Sequence, residues 1–332
     1  MSRYLVTGST GFLGTHLIDR LLSRGHRVVA LCRHDAPDLA AKGAVVLLGD
    51  VLDGASVKSA AEGCEGVFHC AGRVSRRRED AEALYRVHVE GTKTALDACR
   101  EAGVKRAVLA STSGTVAVSR APEVLDETAP APTELIAGWP YYRSKLYAER
   151  AALDRNGPGF EVVSVNPSLL LGPGDIHGSS TSDVVSFLEQ KVPFVPAGGI
   201  AFVDARDAAE AMILAMEKGR AGQRYLINAA NMTLEAFFGR LSRISGVPAP
   251  KLRAPRSVLL AKAGAELIKR AQKHVPLNVE LDAVSAEMAQ YYWYVDASKA
   301  RKELGFTHRD PMETLSETIE DLRARGVVWP TT

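Results

Sequence analysis

The chain has 332 residues, with 41 Lys and Arg against 39 Asp and Glu; it is 46% hydrophobic and 24% charged. This usage excludes collagen, coiled coil and intrinsic disorder, and a chain of this length buries about three quarters of its unfolded surface without disulfide or metal staples. A net charge of +2 is far from the clustered basic excess of a dedicated nucleic-acid binder. The four cysteines (Cys32, Cys64, Cys70 and Cys99) form no CxxC pair. No metal site and no disulfide framework are therefore expected, and a reducing, cytoplasmic setting is. No apolar run reaches the ~18 residues of a membrane span, and Tyr4-Leu5-Val6 starts a strand-like run without a signal-peptide layout. A soluble protein with no stable membrane insertion is the expectation.

In chain order, the first half alternates β-branched apolar runs with helical periods. Strands are read at 4–7, 27–32, 44–48, 66–70, 107–110 and 161–166, with helices over 12–24, 53–62, 80–102 and 141–156. Near-continuous apolar strands separated by helices predict an α/β fold, a parallel sheet covered on both faces. Right-handed crossovers make it doubly wound, with ligands beyond the carboxyl ends of the strands. After Pro167 the pattern loosens. Helices are read near 182–190, 205–218, 233–245, 256–273 and 310–326, with strand-like pieces at 200–203 and 224–227. The expected division is a first domain over 1–170, to which roughly 200–230 returns, and a smaller, mostly helical part over 171–332.

Thr7-Gly8-Ser9-Thr10-Gly11-Phe12-Leu13-Gly14 joins the first strand to the first helix. Glycines at this spacing permit a tight turn, close backbone approach to a pyrophosphate and a helix N-terminus aimed at that anion. The first domain therefore reads as a dinucleotide-binding Rossmann fold. An NAD-selective site carries a carboxylate about 20 residues after the glycines, on the ribose 2′-hydroxyl. Here the second strand ends in Leu31-Cys32-Arg33-His34, with no acid. Arg33 can pair with a 2′-phosphate through its fork of donors, so NADP(H) is favoured over NAD(H). The alternative is that Arg33 is a solvated loop charge.

Tyr141-Tyr142-Arg143-Ser144-Lys145 opens a helical stretch. Tyr141 and Lys145, at i and i+4, share a helix face. An ammonium beside a phenol favours the phenolate and lowers a pKa that otherwise lies near 10. Tyr142 points about 100° away around the helix and is expected to matter little. Ser111-Thr112-Ser113-Gly114-Thr115 follows the fifth strand and supplies hydroxyls where a nicotinamide would end.

In this combination the chain resembles the extended short-chain dehydrogenase/reductase family, the NAD-dependent epimerase/dehydratase type. TGxxGFLG, Gly49-Asp50, Phe68-His69-Cys70-Ala71-Gly72, Ser113, Tyr141, Lys145, Asn166-Pro167 and Gly172-Pro173-Gly174-Asp175 arrive in the family's order. The Tyr-x-Arg-Ser-Lys string and the Arg after the second strand are most similar to the dihydroflavonol-reductase, hopanoid-associated epimerase and 3β-hydroxysteroid-dehydrogenase-like branches. The resemblance implies cofactor contacts at Gly8, Thr10, Gly11, Phe12, Leu13, Gly14, Arg33, Asp50, Val51, Ala71, Gly72, Tyr141, Lys145, Asn166 and Pro167. It implies a catalytic set of Ser113, Tyr141 and Lys145: Tyr141 as general acid/base, Lys145 on the nicotinamide ribose, Ser113 on the reacting oxygen. Ser111 and Thr112 remain alternatives to Ser113. One departure stands out, His88 where the family has Asn in its NVxGT helix; a packed histidine is the expectation there.

Arg73 and Arg76-Arg77-Arg78 read as a solvated face, with an anion clamp for the substrate as the sharper alternative. Tyr291-Tyr292-Trp293-Tyr294 reads as core or interface, and Asp126, Glu127, Asp204 and Asp207 as helix or turn caps. The basic amphipathic stretch 256–273 reads as a lid on the substrate part. The implied protein is an NADP(H)-dependent oxidoreductase interconverting a ketone or aldehyde and an alcohol on a small organic molecule, acting as a homodimer. The alternatives are a nucleotide-sugar epimerase or dehydratase with recycled NAD(P), and a non-catalytic dinucleotide sensor.

Overall fold

The computed structural model describes residues 1–254 and 283–329. The expected helix at 256–273 lies outside them. Strands β1 (Arg3–Thr7), β2 (Arg27–Cys32), β3 (Val45–Leu48), β4 (Gly66–His69), β5 (Arg106–Ala110) and β6 (Glu161–Pro167) form within a residue or so of the expected runs. Helices α1 (Phe12–Ser23), α2 (Pro37–Ala41), α3 (Gly54–Ala61), α4 (Ala81–Tyr85), α5 (Gly91–Glu101), α6 (Thr133–Ile136) and α7 (Pro140–Leu153) lie between them. The single helix expected over 80–102 is interrupted: a π-helical turn, Arg86–Glu90, separates α4 from α5 and carries His88.

Beyond β6 come β7 (Leu169–Leu171), α8 (Ser182–Leu188), β8 (Phe194–Val195), β9 (Gly199–Asp204), α9 (Ala205–Lys218), β10 (Arg224–Ile227), β11 (Ala230–Thr233), α10 (Leu234–Ser245), β12 (Leu252–Arg253), α11 (Ala283–Met288), α12 (Ser298–Leu304) and α13 (Pro311–Ala324). Seven parallel strands run in the order β10-β6-β5-β4-β1-β2-β3. Strand order reverses between β1 and β4, so the crevice of a doubly wound sheet opens at their carboxyl ends. On one face of the sheet Leu17, Ile18 and Leu21 of α1 pack with Met212 and Met216 of α9. On the other, Val57 of α3, Leu96 and Cys99 of α5 and Ala152 of α7 close the second layer.

Of the pieces expected to return near 200–230, α9 and β10 rejoin this sheet, while β9 does not. It sits instead in a three-stranded sheet, β11-β9-β7, parallel to β7 and antiparallel to β11. Asp204 ends β9 and caps α9, accepting from the Arg206 amide at 2.8 Å. Asp126 caps a turn, accepting from the Thr128 amide at 2.9 Å, whereas Asp207 and Glu127 bond across the fold, accepting from the Arg309 amide and from the Leu226 amide of β10, each at 2.8 Å. The smaller part has its own core, in which Phe187 of α8 stacks on Phe238 of α10 and Leu315 and Ile319 of α13 close it. Among the described residues no helix is long and apolar enough to cross a membrane.

Candidate active site

The glycine turn sits at the strand-order reversal. Gly8 has φ +67°, and a Cβ there would lie 2.6 Å from the Cys70 carbonyl and the Ala71 amide. A Cβ on Gly14 would collide with the Gly8 carbonyl oxygen. Only glycine lets the turn, the helix start and the end of β4 close on one another. The Ser9 hydroxyl donates to the Val6 and Leu31 carbonyls at 2.7 and 3.3 Å, tying the turn to the end of β2. Gly11, at the N-cap of α1, makes no side-chain cap, and the first turn carries no acid. Its amides and positive dipole end are therefore open to an anion.

The other residues implied as cofactor contacts distribute as follows. Thr10 is exposed in the turn, while Phe12 and Leu13 are buried at the helix start. Arg33 is exposed two residues after Leu31, which pairs with Thr7 just before Gly8, and it has no ion pair among the described residues. Asp50 spends a carboxylate oxygen on the Leu52 amide at 2.9 Å, and Val51 packs under Gly91. Ala71 and Gly72 leave the end of β4; a Cβ on Gly72 would lie 3.6 Å from the Lys145 ammonium. Asn166 is engaged with the protein itself. Its side chain is fully buried and turned inward, with Nδ2 on Thr112 O, Thr115 Oγ1 and Glu149 and Oδ1 accepting from Ser164. Its amide nitrogen is spent inside the protein, so the side chain frames the site. Pro167 follows it, buried, at the end of β6.

Lys145 reaches across from α7 and donates to the Ala110 carbonyl, the last residue of β5, at 2.8 Å. Burial lowers its pKa to about 8, against the opposing pull of Cys70 and Glu149. The expected lowering of the Tyr141 pKa by Lys145 is not seen. Burial, and then Tyr142, push the phenol up. A phenol so placed stays protonated, the form a proton donor needs. Ser113, only 4% exposed, begins a short 3₁₀ turn over Ser113–Thr115.

Tyr142 is closer to the site than its helical position implies. A Cβ on Gly114 would run into its ring, so the ring abuts the residue after Ser113. Tyr142 in turn packs at 4.8 Å on Trp293, which lies 5.6 Å from Trp139; Tyr291 meets Trp139 edge-on at 5.1 Å. Tyr291 and Trp293 of the tyrosine and tryptophan run thus help form an aromatic wall, buried or half-buried, beside the serine turn. Three of the four arginines after β4 are matched by carboxylates. Arg76 forms a two-pronged pair with Asp183 of α8 at 2.7 and 2.9 Å, Arg73 pairs with Asp80, and Arg77 with Glu79.

One residue that frames the site escapes the motif reading. Glu149 is on α7, one turn beyond Lys145, and is completely buried. Its Oε2 accepts from Ser111, from Thr115 at 2.9 Å and from Asn166 at 2.6 Å, while Oε1 lies 3.0 Å from Arg224 Nε of β10. That nitrogen's hydrogen does not point at Oε1, so the contact is an ion pair without a hydrogen bond. The only local signal was spacing: Tyr141, Lys145 and Glu149 recur at i, i+4 and i+8 on one face.

The NAD dependent epimerase/dehydratase family model matches residues 4–229. The chain belongs to this family, among the extended short-chain dehydrogenase/reductases that its motifs resemble. A Synechocystis protein provisionally named dihydroflavonol 4-reductase is 34% identical, with 98% of this chain and 96% of the relative covered. Sterol demethylase protein B of Methylococcus capsulatus is 31% identical, with 98% and 99% covered. The solved structure of a nucleoside-diphosphate-sugar epimerase from Pseudomonas aeruginosa superposes with a TM-score of 0.79 at 25% identity, over 99% of each chain.

Glu149→Ala leaves Arg224 and three hydroxyl or amide donors without their shared acceptor. It should destabilise the protein by about 3–5 kcal/mol, the usual result of removing one member of a buried pair. Glu161→Ala, which breaks an exposed pair with Arg106, should cost about 0–1 kcal/mol. Urea unfolding of both variants checks the contrast; equal losses would remove Glu149 from its central place.

Proposed function

We propose that this NAD(P)-dependent oxidoreductase uses NADP(H) to interconvert a ketone or aldehyde and an alcohol on a small organic substrate. In this reading the amides of the Gly8–Gly14 turn bind the pyrophosphate, with Arg33 on the 2′-phosphate and Asp50, Val51, Ala71, Gly72 and Pro167 along the cofactor. A bound nicotinamide supplies or accepts the hydride. Tyr141 gives its phenolic proton to the substrate oxygen in the reducing direction, and the Ser113 hydroxyl donates to the same oxygen as charge develops on it. Lys145 holds the ribose, and its ammonium stays in register through the Ala110 carbonyl. The observation that carries the reading is that one helix, α7, bonds through Lys145 to the end of β5 and rests through Tyr142 on the residue after Ser113. The relatives named as a reductase and as a sterol-modifying protein support a carbonyl–alcohol reaction. The four free cysteines fit a reducing, cytoplasmic setting.

The likeness to a sugar-nucleotide epimerase favours a second reading, the same residues with a recycled cofactor. Net consumption of NADPH with a panel of carbonyl compounds separates the two, because an epimerase or dehydratase leaves the total unchanged.

Tyr141→Phe keeps the ring and removes only the hydroxyl. Carbonyl-dependent NADPH oxidation should fall about 10²–10⁴-fold, the usual worth of a positioned acid, with NADPH affinity nearly unchanged. Wild-type turnover in that variant would dismiss Tyr141 as the proton donor.

Arg33→Ala should weaken NADPH by about 1.5–3 kcal/mol, the value of a charged hydrogen bond, and NADH hardly at all. Titration calorimetry with both cofactors reads this directly; equal losses would make Arg33 a surface charge.

We also propose a homodimer through the outer face of α4, α5 and α7. Tyr85 and Tyr147 stand 44% and 41% exposed there, beside a groove of about 530 Å³ lined by Val89, Lys93, Arg150 and Ala151. Exposed aromatics around a groove mark an association surface. Light scattering should give twice the 35.6 kDa chain mass, and Tyr147→Glu should halve it; a wild-type monomer at working concentration ends the idea.

A further inference from the structure

His88 is 1% exposed and lies on the π-helical turn Arg86–Glu90, a wider turn of the kind that recurs at functional sites. Both of its ring nitrogens are engaged. Nε2 lies 3.0 Å from the Arg73 backbone nitrogen. A backbone N–H can only donate, so Nε2 carries the lone pair and the ring proton sits on Nδ1. Nδ1 lies 2.8 Å from Ser144 Oγ and donates to it. The Ser144 hydroxyl in turn donates to the Tyr141 carbonyl at 2.8 Å. The hydrogen bonds therefore run in one direction, from the Arg73 amide through His88 and Ser144 to the backbone of Tyr141. The edge of the imidazole also meets the Tyr141 ring, with centroids 5.6 Å apart at 80°.

We infer that His88 is a positioning residue held as a single neutral tautomer, which locks the first turn of α7 to the start of the loop after β4 and takes no proton in the reaction. The inference rests on the reading of Tyr141 as the proton donor. Adding a second proton would place an Nε2–H against the Arg73 N–H and forfeit that bond. Burial opposes a positive charge there most, and Lys145 from α7 and His69 from β4 oppose it too; the Tyr141 phenol, the other titratable group against the ring, is held neutral. Gly72 completes the junction: a Cβ on it would lie 3.2 Å from Nε2, so the loop passes the imidazole where a side chain would crowd it. The two ends of the lock serve different parts of the site. One sets the Tyr141 backbone, and the other sets residues 73–78, which reach α8 through Arg76 and Asp183.

The test combines ring ¹⁵N spectroscopy of the wild-type protein with two substitutions that each keep one end of the lock. The wild-type His88 signals, assigned by their loss in H88Q, should show Nδ1 protonated and Nε2 unprotonated from pH 5 to 8, without titration. H88Q can offer an acceptor near the Nε2 position to the Arg73 amide but loses Ser144. It should lower kcat on the order of ten-fold with little change in the KM of the carbonyl substrate. H88N can keep a donor near the Nδ1 position for Ser144 but loses Arg73. It should raise that KM with a smaller change in kcat. The shape of the pH–rate profile should be unchanged in both. A ring that titrates in that range, a proton found on Nε2, a pH limb that vanishes in H88Q, or both variants with wild-type kcat and KM would each overturn the inference. Tyr141→Phe with wild-type turnover would instead defeat the reading beneath it, and the tautomer result would stand apart from that failure.

Discussion

A single buried carboxylate organises the catalytic end of the sheet. Glu149 has no solvent to share its charge with, and a bare carboxylate in that position would be prohibitively costly. It is tolerated because four partners from three other places in the chain converge on it: Ser111 and Thr115 beyond β5, Asn166 on β6 and Arg224 on β10. Satisfying that charge fixes the height and rotation of α7 against β5, β6 and the first residue of β10. Lys145 and Tyr141, one and two turns earlier on the same face, inherit the setting. Charge neutralisation is thus also the means of alignment.

The serine turn is fixed from both sides. Beneath it Thr115 and Ser111 are drawn to Glu149, and above it the Tyr142 ring occupies the space a side chain at 114 would need. Trp139, Tyr291 and Trp293 then back the Tyr142 ring. Two physically different devices, a buried charge network and an aromatic stack, hold one short 3₁₀ turn.

Local patterns made the large sheet legible. Its strands are apolar on both faces, and the glycine turn and the Tyr141–Lys145 spacing are short-range signals that survive any tertiary context. Less was legible where structure depends on distant partners. Strands β7 and β11 are short and half-covered, so no period marks them; their pairing with β9 defines them. The π turn at Arg86–Glu90 carries His88, whose partners Arg73 and Ser144 are remote in sequence and leave no mark on the local pattern. Asn166 fits a family motif, yet its amide is committed to Glu149, a residue with no motif of its own. Tyr142 looked peripheral by helical angle because the angle takes no account of the glycine it covers.

The path of the chain has a consequence for how the protein can be divided. After β6 the chain leaves the large sheet for β7, α8 and β9, returns for α9 and β10, and departs again through β11 and α10. The half that holds the glycine turn is therefore discontinuous in sequence. A fragment ending at residue 170 would lack α9, whose Met212, Ile213 and Met216 cover α1 and the adjoining strands, and would expose β6 as a raw sheet edge. Exchange of the smaller part between relatives accordingly needs junctions on both sides of α9–β10. A single crossover point would graft foreign strands into a core shaped for its own.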